Sequence, residues 1–86
     1  MDSATMEAAR AGDPVALTRL LVSTDSVNPT LAPGGAGEAE IAALCASLLE
    51  GWGLDVAVHE VAPGRMNVVG RMSGRGPTLL LNGHLD

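Results

Sequence analysis

The residues of this chain best suited to chemistry lie at its end, in "LLLNGHLD", residues 79–86. His84 and Asp86 are two positions apart. On an extended backbone their side chains point to the same side. A neutral imidazole is a good zinc ligand. Such an imidazole commonly donates its other ring N–H to a carboxylate, which fixes tautomer and orientation. Gly83 carries no side chain, so another group could approach the backbone there. By spacing alone two readings stay open. His84 and Asp86 are a metal or catalytic couple, or they begin a solvated loop after a buried strand.

Other candidates are weaker. His59 falls on the polar phase of an alternating stretch and reads as a surface residue. Cys45 lies on an apolar helical stripe and reads as a small core residue. "GGAG" (34–37) has no following Lys-Ser/Thr and no preceding strand, so it is not a phosphate loop. Asn67 opens a strand and reads as structural. Ser23, Ser26, Ser47 and Ser73 lack a G-x-S-x-G setting for a nucleophile.

The elements that would position His84 and Asp86 follow from periodicity. Asp13 and Pro14 make a helix start, a capping side chain followed by Pro at the first helical position. Leu17, Leu20 and Leu21 continue it, predicting a helix over 13–24 with a shorter one over 3–11 ahead of it. "APGGAG" (32–37) is a loop. A second main helix follows from Gly37. Ile41, Leu44, Cys45, Leu48, Leu49 and Trp52 form its single apolar stripe. Glu38 and Glu40 sit where the helix dipole favours acids. At Leu54 the period changes to two, which predicts a strand over 54–59. Further strands are predicted over 66–72 and 78–81, with 66–81 as an antiparallel hairpin. "LLL" is apolar on both faces, which predicts an innermost strand covered on both sides. The order is two helices and then three strands, an α/β pattern. A strand apolar on both faces needs more neighbours than this chain offers, so the sheet reads as incomplete.

Composition narrows the function. The chain has 86 residues, one Trp, no Phe or Tyr, and one cysteine. Its core must therefore be light, and no internal disulfide can staple it. The net charge is −5, and all five cations are arginines. No aromatic residue lies among Arg65, Arg71 and Arg75, so a nucleic-acid surface is not expected. "MDSATMEAAR" is not a signal peptide, and no stretch is long and apolar enough for a membrane span. A cytoplasmic location without membrane partners is expected.

Three stretches, "LLVSTDSVNP" (20–29), "GEAEIAALCASLLEGWGLDV" (37–56) and "MNVVGRMSGRGPTLLLNGHLD" (66–86), resemble the start of a family of zinc-dependent deacylases and exopeptidases. That family includes acetylornithine deacetylase, succinyl-diaminopimelate desuccinylase and the glutamate-releasing carboxypeptidases. The resemblance implies that residues 1–86 are the N-terminal part of a three-layer α/β/α catalytic domain of zinc-exopeptidase type, ending after the first metal-ligand motif. It implies that His84 is a metal ligand and that Asp86 is the catalytic-site carboxylate behind it. It further implies two Zn2+ ions per active site in the full-length parent, with cobalt as an alternative. The substrate would be an N-acyl amino acid or short peptide, and a homodimeric parent is compatible with it. The remaining ligands and the general base would lie beyond residue 86, so this chain alone is expected to be inactive. A different reading is a non-catalytic chain or small interaction module with an unused His-x-Asp motif.

Overall fold

The computed structural model describes residues 1–86. It contains three helices and one two-stranded sheet. Helix α1 spans Ser3–Arg10 and α2 spans Pro14–Val22. Each begins at an aspartate that accepts a hydrogen bond from a backbone N–H inside the first turn. Asp2 accepts from Thr5 at 2.7 Å, and Asp13 accepts from Ala16 at 2.9 Å. These bonds satisfy donors that a helix N-terminus otherwise leaves unpaired. Asp13 N–H also donates to Ala8 O at 3.0 Å, which ties the two helices through a short corner.

Helix α3 spans Ala39–Gly51. It has no side-chain cap, because the carboxylate of Glu38 is engaged elsewhere. Its exit is anchored at a distance: Trp52 Nε1–H donates to Arg10 O at 2.7 Å. Trp52 therefore sits at the rim, 42% exposed, although it continues the apolar stripe of the helix. A polar N–H that needs a partner explains this position.

Leu48 of α3 packs with Ala9 of α1 and with Ala16 and Leu20 of α2. Met6, Ala8, Leu17 and Leu44 close around that cluster. Half of the buried centre is alanine, as the composition required.

Strands β1 (Asp55–Ala62) and β2 (Arg65–Arg71) form an antiparallel hairpin through Pro63 and Gly64. Asp55 pairs with Arg71, Val58 with Val68 and Glu60 with Met66, and a bulge follows Glu60. Helix α3 lies against this ribbon. Gly70 permits the approach, since a Cβ there would meet Leu49 Cδ1 and Leu54 Cδ2 at 3.1 Å. A Cβ there would require those leucine side chains to give by a few tenths of an ångström.

Several expectations are met and several are corrected. The helix start at Asp13 and Pro14, the shorter leading helix and the switch to strands after Leu54 are all present, and the helix expected from Gly37 begins at Ala39. The hairpin, however, runs over 55–71 rather than 66–81. Residues 78–81 form no strand, and nothing covers them. Leu79, Leu80 and Leu81 are 82%, 81% and 85% exposed. The physical reason is partnership. A strand has no hydrogen bonds of its own to make, and an apolar strand is buried only if helices lie on both of its faces. Here α3 is the helix that packs on the two-stranded ribbon, and the extent in the thinnest direction is 15 Å. The architecture is a small two-layer α/β unit. No helix is long and apolar enough to cross a membrane.

Candidate functional site

The site is assembled from three segments far apart in sequence. The first is the loop after α2. Within it, Asn28 Oδ1 accepts from Thr30 N–H at 2.9 Å, and Asn28 O accepts from Ala32 N–H at 2.9 Å. These bonds make a local Asx-type turn at the Asn-Pro pair. The loop returns to its own start where Gly37 N–H donates to Val27 O at 3.0 Å.

The second segment is the hairpin turn. Arg65 grips the loop at both ends. Its Nε donates to Glu38 Oε2 at 2.6 Å and its Nη2 to Glu38 Oε1 at 2.8 Å. Its Nη1 donates to Thr30 Oγ1 at 3.3 Å. This two-pronged geometry is the strong form of an arginine–carboxylate pair. It holds the Glu38 carboxyl below the usual carboxylate range and raises the Arg65 guanidinium. Gly37 lets loop and turn close. Its φ is +75°, and a Cβ would lie 2.8 Å from Gly64 O.

The third segment carries the residues with candidate chemistry. Asp86 Oδ1 lies 3.4 Å from His84 Nδ1. Asp86 Oδ2 accepts from Asn28 Nδ2–H at 3.2 Å. The His84 side chain is 88% exposed and that of Asp86 27%. The donated Asn28 hydrogen bond is the main cause that lowers the Asp86 carboxyl below its ordinary value of 3.8, and His84 adds to it. An open cleft of about 860 Å³ is lined by Asn28, Glu38, Arg65, Asn67, His84 and Asp86, among others.

The structure therefore brings His84 and Asp86 together, as their spacing suggested, though without a strand beneath them. Asn67 reaches the same cleft. Cys45 also lines it, half-buried, and burial pushes its thiol up. A protonated thiol there is no ready ligand. His59 is exposed on β1, opposite Asn67 across the ribbon. Three residues of the site were not singled out from the sequence: Asn28, Glu38 and Arg65. Glu38 was legible only as an acid in a first helical turn, and Arg65 only as part of a loose cationic cluster. Asn28 lies within "SVNP", but nothing local points its amide at a residue 58 positions away.

As a metal centre the donor set is one corner. His84 offers an imidazole with a carboxylate at its Nδ1 side, the chemistry of a supported ligand. No group of three His, Cys, Asp or Glu side chains converges anywhere in the chain. A four-coordinate zinc site needs more.

Comparison with known proteins gives one direction. Over 66 residues, 77% of this chain, the sequence is 38% identical to acetylornithine deacetylase of Vibrio campbellii. Over the same length it is 32% identical to acetylornithine deacetylase of Vibrio cholerae. The chain spans only 18% of the length of these relatives. No protein-family model matches the sequence, and no solved structure matches it.

Proposed function

We propose that residues 1–86 form the leading part of the catalytic domain of a metal-dependent deacylase, one that cleaves the amide of an N-acyl amino acid or short peptide. The similarity to acetylornithine deacetylases over 66 residues carries this reading. The meeting of His84 and Asp86 in an open cleft supports it. In the complete domain the sheet would continue beyond β1 and β2. Leu79–Leu81 would then be an inner strand in a three-layer arrangement, which accounts for their bareness here.

Within that reading His84 is a metal ligand through Nε2, and Asp86 is the carboxylate that takes the Nδ1–H. Bound zinc ions would supply an activated water and polarise the scissile carbonyl. The further ligands and the proton-transferring group would come from chain beyond residue 86. This chain's own contribution is to hold one imidazole in one tautomer with its lone pair directed outward. A homodimeric complete protein, with cobalt able to replace zinc, belongs to the same proposal.

The test uses the longer protein that carries this sequence, with zinc per chain and turnover of N-acetylornithine as readouts. His84→Ala should empty or distort one metal position and abolish turnover. Asp86→Asn keeps the size but loses the carboxylate, and metal affinity or rate should fall about 10–100-fold. Full zinc occupancy with undiminished turnover in His84→Ala would refute the ligand assignment. The 86-residue chain alone should hydrolyse nothing and bind zinc weakly.

A further inference from the structure

Residues 72–86 make no backbone hydrogen bond to any other part of the chain. One hydrogen bond ties them down, from Asn28 Nδ2 to Asp86 Oδ2. The donor is itself fixed. Thr30 N–H occupies Asn28 Oδ1 and so decides which end of the amide faces Asp86. Only the NH₂ end is left, and only that end can donate. The turn that holds Asn28 is in turn gripped by Arg65 at Thr30 and at Glu38. The order of dependence is therefore clear. Arg65 fixes the loop, the loop fixes the Asn28 amide, and the amide takes one oxygen of Asp86. The other oxygen is left facing His84 Nδ1.

We propose that Asn28 is a positioning residue for His84: by holding Oδ2 of Asp86 it turns Oδ1 toward Nδ1 of the imidazole and so sets the tautomer. In a neutral imidazole one nitrogen carries the proton and the other the lone pair. A carboxylate at Nδ1 draws the proton there and leaves Nε2 as the outward acceptor. The effect is on the ring of His84 and needs no bound metal. It rests on the deacylase reading only for what the outward Nε2 is used for.

The experiment reads the ring directly, by long-range ¹H–¹⁵N spectra of the ¹⁵N-histidine-labelled 86-residue chain. It is done at about pH 8.5, where an ordinary histidine is neutral. The unsubstituted chain should show His84 mainly as the Nδ1–H tautomer. Asp86→Ala should move it toward the Nε2–H form that an unpaired imidazole prefers. Asn28→Asp is the decisive variant. Its carboxylate can still accept from Thr30 N–H and keep the turn, but it cannot donate to Asp86 and repels it. The Nδ1–H to Nε2–H ratio should fall by about twofold or more, with the Thr30 amide still hydrogen-bonded by its low temperature coefficient. Asn28→Ala should shift the ratio in the same direction. A wild-type ratio in both Asn28 variants would overturn the proposal. So would a ratio that does not respond to Asp86→Ala, because the couple would then not exist. Failure of the deacylase reading would appear elsewhere, as undiminished zinc and turnover in the longer protein after His84→Ala.

Discussion

Two leucine-rich segments of this chain have opposite fates. In α2 and α3, Leu20 and Leu48 are 5% and 6% exposed. In the tail, Leu79, Leu80 and Leu81 are all above 80% exposed. The side chains are the same, so hydrophobicity alone does not decide burial. The difference is in the backbone. A helix closes its hydrogen bonds within itself and needs only one apolar neighbour for its stripe. A strand needs a hydrogen-bonding partner first and covered faces second. The helices find both conditions within 86 residues, and the tail finds neither. The tail is held instead by one polar contact, Asn28 to Asp86.

The comparison can be broken most directly by truncating one leucine from each segment. Leu48→Ala should cost about 2 kcal/mol, the low end for such a change because a thin core can relax into the gap. In a domain this small that is a large share of the total. Leu80→Ala should stay within about 0.5 kcal/mol, as for an exposed position. Urea unfolding of both variants checks the pair, and equal shifts of the midpoint would mean that the tail is packed in solution.

A second effect, of similar size, tests the latch that closes the loop on the hairpin through Gly37, Glu38 and Arg65. Gly37→Ala puts a Cβ on a residue with φ +75°, against Gly64 O. The strain should cost about 1–3 kcal/mol. Gly74→Ala meets nothing within 4 Å and serves as the control. Circular dichroism melts of the two would separate them, and identical melting would show that the loop does not close on the hairpin.

The third effect is electrostatic and ranks last, because solvent screens much of it. Arg65 depresses the Glu38 carboxyl in the folded chain. The unfolded state thus binds the proton more readily. Stability from this pair is fully present above the ordinary glutamate value of 4.5 and is lost as the pH falls below it. Glu38→Gln should flatten the stability profile in that acid window and change its slope little above it. Urea midpoints at several pH values, with and without added salt, would check this. An unchanged acid limb in the variant would remove Glu38 from the latch.

How much of the site was legible follows from sequence distance. His84 and Asp86 were visible because their relation is a spacing of two, and spacing is printed in the sequence. The Glu38–Arg65 pair joins residues 27 apart and the Asn28–Asp86 bond residues 58 apart. Charge and polarity mark such residues as available but not as partners. The misplaced strand has the same origin. "LLL" states a demand for two covered faces, and the sequence does not say whether that demand is met.

The sequence by itself determined the elements whose causes are local: the cap at Asp13, Pro14 at a helix start, the stripe of α3, and the change of period at Leu54. Each depends on residues within one or two turns of each other, where propensity and periodicity act. Only the tertiary structure decided that the hairpin is β1–β2, that Glu38 leaves its own helix to pair with Arg65, and that Asn28 reaches Asp86. Those outcomes depend on which surfaces meet after the chain has turned back on itself. Strand pairing and charge pairing are long-range choices among several available partners, and the folded geometry selects one.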